Sequence, residues 1–143
     1  MTILGFNFTK IEAEKKAGVK GKININNNVT IKDIGEIDFS IGKQKQNALK
    51  FVFQFVSSYE PGLGKIQFEG EILYLGDDKK NKEILANWKE DKKVPKDIMA
   101  NMLNTILVKC NVQALIISQD LNLPPPIPLP KVEAKPASKD YIG

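Results

Sequence analysis

The chain has 143 residues and a formal net charge of +4, a length that suits one domain able to bury a core without disulfides or metal. Its hydrophobic content (42%) and charged content (27%) are those of a soluble globular protein. Histidine is absent, which removes the commonest general base at neutral pH and the commonest metal ligand. Arginine is absent too, so every one of the 21 basic residues is a lysine. Lysine draws phosphate as a point charge but lacks the planar fork that reads guanine or clamps phosphate.

The first half reads as β. In "FNFTKIEAEKK" (Phe6–Lys16) the apolar positions alternate, but Phe6 and Phe8 are out of phase with Ile11 and Ala13. A bulge near Thr9 reconciles them. "KININ" sets Ile23 and Ile25 on one face, and "NVTIKDI" repeats the pattern with Val29 and Ile31. Gly35 to Asn47 is mixed and polar and reads as irregular. The clearest element is a hairpin. Leu49, Phe51, Phe53 and Phe55 share a face, "EPGLG" turns, and Ile66, Phe68, Ile72 and Tyr74 answer on the partner strand. Gly70 sits among that apolar set, which invites a bulge or a close approach by another element.

The second half supplies the cover that such a sheet needs. "DDKKNKEILANWKEDKK" is a short amphipathic helix with acidic residues first and lysines last, the order the helix dipole prefers. Asp77 and Asp78 read as an N-cap and dipole complement, not as a metal site. A long helix then runs from Pro95 to about Ser118, with Ile98, Met102, Ile106 and Cys110 on one side and Met99, Leu103 and Leu107 widening the stripe. Asn111 kinks it, ends it or lies within it. The stripe is either all core, or core plus a face for a second subunit. Cys110 reads as a small buried hydrophobe in a reducing compartment. Beyond it, five of the eight prolines fall between Pro124 and Pro130. Residues 131–143 form a polar tail expected to be disordered without a partner. Residues 1–130 thus make one domain, including the strap 124–130.

No P-loop, dinucleotide fingerprint, Cys-x-x-Cys or nucleophile elbow is present. "EPGLGKIQFEG" joins two strands instead of opening a helix, so it is no phosphate cradle. No cofactor is expected, and the expectation is a protein that is not an enzyme. No charged n-region with an apolar run opens the chain, and no apolar run approaching a membrane span of ~18 residues is read from it. The expected location is the cytoplasm, with no membrane partner.

Four strands, then a long helix with a mid-helix cysteine, then "LNLPPPIPLP", is similar to the export chaperone SecB, and most of all to archaeal SecB-like proteins. Leu121, Asn122, Leu123 and Pro124 carry the most specific part of the likeness, which spans roughly Asn7 to Pro130. It implies an α+β fold: a four-stranded antiparallel sheet, a short and a long helix packed on one face, then an extended Pro-rich strap. It also implies homodimers or larger homo-oligomers whose hydrophobic grooves hold unfolded or nascent polypeptide without ATP. Candidate peptide-binding residues here are Phe6, Phe8, Trp88, Leu121, Leu123, Pro124, Pro125, Pro126 and Ile127. The strap either closes the bottom of the core or lines a groove for a client.

One departure matters: the export chaperones are acidic and this chain is basic. Lys79, Lys80, Lys82, Lys89, Lys92, Lys93 and Lys96 form either a solvated surface or a polyanion-binding face. The alternative to a holdase is therefore a ribosome-associated factor, acting in hibernation, dimerisation or next to nascent chains, that holds ribosomal RNA or protein by this face. An antitoxin-linked chaperone or assembly partner is a third reading.

Overall fold

The computed structural model describes residues 2–16 and 21–128. The last two residues of the expected strap and the polar tail 131–143 lie outside that range. Four strands come first: β1 (Thr2–Lys15), β2 (Asn24–Ile41), β3 (Gln44–Glu60) and β4 (Gly64–Leu75). Two helices follow, α1 (Asp78–Asp91) and α2 (Lys96–Asp120). The strands form one antiparallel sheet in the order β1-β4-β3-β2, so β1 and β2 are its edges. This is the α+β architecture expected.

Period-2 alternation decides the faces. On β3 every other residue from Leu49 to Tyr59 is buried, and Phe51, Phe53 and Phe55 are wholly inaccessible. Phe55 and Phe68 are cross-strand partners and stack with centroids 5.6 Å apart. The reverse face alternates half-buried Val52 and Val56 with Gln54, Glu69 and Glu71, the last 3.9 Å from Lys50. The register of β1 on β4 slips between Phe8 and Lys10, where the phase change at Thr9 required a bulge. Phe6, Phe8, Ile11 and Ala13 thereby all pair with core-face residues of β4.

Gly35–Asn47 is not irregular. β2 continues to Ile41, a turn with Gly42 at φ +65° follows, and β3 opens at Gln44. The pairing runs from Gly35 opposite Lys50 down to Ile41 opposite Gln44. A register slip of β2 on β3, between Ile31 and Asp33, explains why the sequence concealed it. It puts Ile31 and Ile34, three residues apart, on one face and so breaks the visible alternation.

Asp77 caps α1 by accepting a 2.7 Å bond from the Lys80 amide. Lys92 ends the helix in the left-handed region (φ +56°), donating its N–H to the Trp88 carbonyl. Pro95 stands at the N-cap of α2, which passes Asn111 without interruption. The buried residues of α2 are Ile98, Met102, Ile106, Cys110, Ala114 and Ser118, one i+4 ridge. α2 lies over β2, β3 and β4, and α1 over β2 and β3. By length and composition α2 is apolar enough to cross a membrane, contrary to the sequence reading, and only 22% of its most apolar window is buried. Its ridge here covers the aromatic core of the sheet, which makes it a layer of the domain.

Candidate functional site

Neither helix packs more than marginally on β1, which is held by its ladder with β4. The core-face side chains of that strand are consequently left half open. Phe6 meets Phe8 edge to face at 5.0 Å and lies 5.2 Å from Phe53; Phe8 lies 5.3 Å from Phe68. Ile11, next on the same face, is 46% exposed. The result is an aromatic shelf continuous with the core, along a strand whose outer backbone groups face no other strand among the described residues. Gly70 permits it. A Cβ there would lie 2.5 Å from the Asn7 carbonyl oxygen and 2.6 Å from Phe53 Cζ.

A second apolar surface lies on α2. Val108, Val112 and Ile116 recur at i, i+4 and i+8 and are exposed, and Leu103, Leu107 and Leu115 beside them are only partly covered. Between Asp97 and Asp120 the helix carries one charge, Lys109.

The strap is the third feature. Leu121 is half-buried, and Leu123 is buried with one methyl 3.5 Å from where a Gly64 Cβ would stand. Its amide donates to the Ser118 carbonyl at 2.8 Å. The Tyr59 hydroxyl donates to the Pro124 carbonyl at 2.6 Å, and Asn27 Nδ2 donates to the Pro126 carbonyl at 2.8 Å. The segment therefore crosses the end of the sheet from β4 over β3 to β2. Pro126 is buried, Ile127 half-buried, Pro124 and Pro125 exposed. Burial raises the Tyr59 pKa above its usual value. Burial also pushes the Cys110 thiol up to about 12, so it stays protonated inside the core.

The candidate residues thus separate into distinct places. Phe6 and Phe8 are together on the shelf. Leu121 to Ile127 are together beyond the end of α2, across the end of the sheet. Trp88 belongs to the core, 6% exposed, with Lys92 Nζ 5.0 Å above its ring; it offers a client little more than an edge. Lys79, Lys80, Lys82, Lys89, Lys92, Lys93 and Lys96 lie on α1, the loop after it and the first residue of α2, all exposed but for half-buried Lys80. Asp77, Asp78, Glu83, Glu90, Asp91 and Asp97 are interleaved with them, which leaves the region close to neutral. Among the described residues no three His, Cys, Asp or Glu side chains are placed to hold a metal ion. Sequence reasoning missed Tyr59, Asn27 and Gly64, which seat the strap. The only local signal was a tyrosine on the core face, whose hydroxyl needs a partner when buried.

No family model matches the chain, and no curated protein matches it. Among solved structures it is similar to the Mycobacterium tuberculosis SecB-like chaperone in complex with a ChAD peptide from the HigA1 antitoxin. The identity is 11%, the coverage 92% of this chain and 90% of that one, and the TM-score 0.49.

Proposed function

We propose that the chain is a non-enzymatic, ATP-independent SecB-like chaperone of the cytoplasm that holds extended, unfolded polypeptide as a homodimer or larger homo-oligomer. The observation that supports this reading is the shelf of Phe6, Phe8 and Ile11 along the open edge of β1. An extended chain can add to such an edge through main-chain hydrogen bonds, and alternate side chains then fall on the aromatic face. That mode asks for apolar content and little sequence, as a holdase requires. The exposed ridge of Val108, Val112 and Ile116 supports subunit pairing, because an uncharged apolar stripe at i+4 spacing packs against a like stripe.

The test is light scattering of a chemically denatured client diluted into buffer without nucleotide. The expected result is suppression near equal stoichiometry at low and high salt. Phe6→Ser with Phe8→Ser should weaken it by about tenfold or more, since truncating one aromatic anchor costs about 2 kcal/mol. No suppression with several clients would end the reading. For pairing, sedimentation should give a dimer or larger species that Val112→Lys shifts towards monomer; a wild-type monomer at micromolar concentration would refute it.

A further inference from the structure

The strap is seated in an unusual way for a segment that merely closes a core. The groups that hold it are side-chain donors: the Tyr59 hydroxyl, Asn27 Nδ2 and, at 3.5 Å, Lys15 Nζ reaching the Asn122 carbonyl. The groups they hold are backbone carbonyls, two of them on prolines two residues apart. Pro124, Pro125, Pro126 and Pro128 have no N–H to satisfy, so over Pro124–Pro126 the strap offers acceptors and the seat offers donors, while the Leu123 amide donates to the Ser118 carbonyl of α2. Such contacts read backbone direction and the lack of N–H groups, and the apolar floor reads two side chains, Leu123 and Pro126. An open depression continues from the end of α2 along the strap, walled by Leu115, Gln119 and Pro125.

We propose that this transverse seat is a binding site for extended, proline-rich polypeptide, and that Leu123–Pro128 is its resident occupant, whose release opens it. The site is separate from the β1 shelf and does not depend on the chaperone reading. Two features make exchange feasible. Of the six residues only Leu123 and Pro126 are buried. The course of the strap is set at one exposed residue, Asn122, whose φ of +54° turns the chain from α2 into the seat. A tethered occupant competes at an effective concentration in the millimolar range, so outside peptide binds weakly while the strap is home.

The experiment uses the full-length chain and a fluorescent six-residue peptide of the sequence Leu123–Pro128, read by anisotropy. Asn122→Pro, which cannot adopt φ +54°, should misdirect the strap and tighten peptide binding by roughly tenfold or more. Adding Tyr59→Phe should give back about fivefold of that gain, the worth of one lost hydrogen bond. A peptide with alanines for prolines should bind more weakly. Pro126→Asp is the second strap-side variant, used if Asn122→Pro does not fold. A folded strap-side variant that binds no tighter than wild type, or whose binding ignores Tyr59, overturns the proposal. Failure of the aggregation assay alone leaves it standing, since that assay reads the β1 shelf.

Discussion

Gly70→Ala is the sharpest available test of how the shelf is built. The added Cβ would stand 2.6 Å from Phe53 Cζ, which the ring can yield by rotating, and 2.5 Å from the Asn7 carbonyl oxygen, which is fixed in the β1–β4 ladder. To reach ordinary contact the edge strand must move outward by several tenths of an ångström, directly beneath Phe8, the register partner of Gly70. Overpacking of this kind costs about 1–3 kcal/mol, and the lower entropy of the unfolded alanine chain offsets about 0.4–1 kcal/mol. The net expectation is a loss of about 1.5 kcal/mol. With about 0.3 kcal/mol/K of unfolding entropy for this length, Tm falls by about 5 °C. Gly35→Ala is the control: nothing lies within 4 Å of its Cβ and its φ is not in the left-handed region, so it should be neutral or slightly stabilising. Urea unfolding of both variants measures the difference, and amide exchange along β1 locates it. A Gly70→Ala protein as stable as Gly35→Ala, with β1 protection intact, would refute the steric account.

Tyr59→Phe removes the donor to the Pro124 carbonyl and should cost about 1 kcal/mol in urea unfolding, with faster exchange of the Leu123 amide. Because burial raises the Tyr59 pKa above 10, the neutral hydroxyl contributes its stability fully below pH 10 and loses it as pH climbs through the folded-state value. Strap release on alkaline titration should therefore be seen in wild type and be absent from the phenylalanine variant. Cys110 behaves in the same sense, from an ordinary 9.0 to about 12, so its contribution is present below pH 9 and lost towards pH 12. At pH 8 its modification by a thiol reagent should follow unfolding, and reaction at the rate of a free thiol in native buffer would contradict its burial.

Much of this was legible because the signals are local. Alternation named the β3 and β4 core faces, and the phase change within Phe6–Ala13 located the Thr9 bulge. The i+4 run from Ile98 to Cys110 named the buried ridge. The second half of β2 was lost because the slip at Lys32 and the polar residues around Gly35 erase the period in just that stretch. Which flank of α2 stays open was unreadable, since Val108, Val112 and Ile116 are as apolar as the buried ridge. The strap's seat was beyond reach for another reason. Tyr59 and Asn27 meet Pro124 and Pro126 across 65 and 99 residues, with no local pattern to announce the meeting.

The bulge at Thr9 also divides the exposed edge of β1 into two unlike halves. Before it, Thr2–Phe8 carries no charge; after it, Lys10, Glu12, Glu14, Lys15 and Lys16 crowd the strand, the arrangement that wards off strand addition. An added strand can run beside the first half alone. A further register slip at Leu4 leaves Gly5–Phe8 as its regular stretch, a ruler of about four residues, or about 13 Å of extended chain. If the proposed chaperone role and homo-oligomer hold, a longer client would leave the rest of its length in solvent unless a neighbouring protomer offered a second edge, and reach along a client would grow in steps, one protomer at a time.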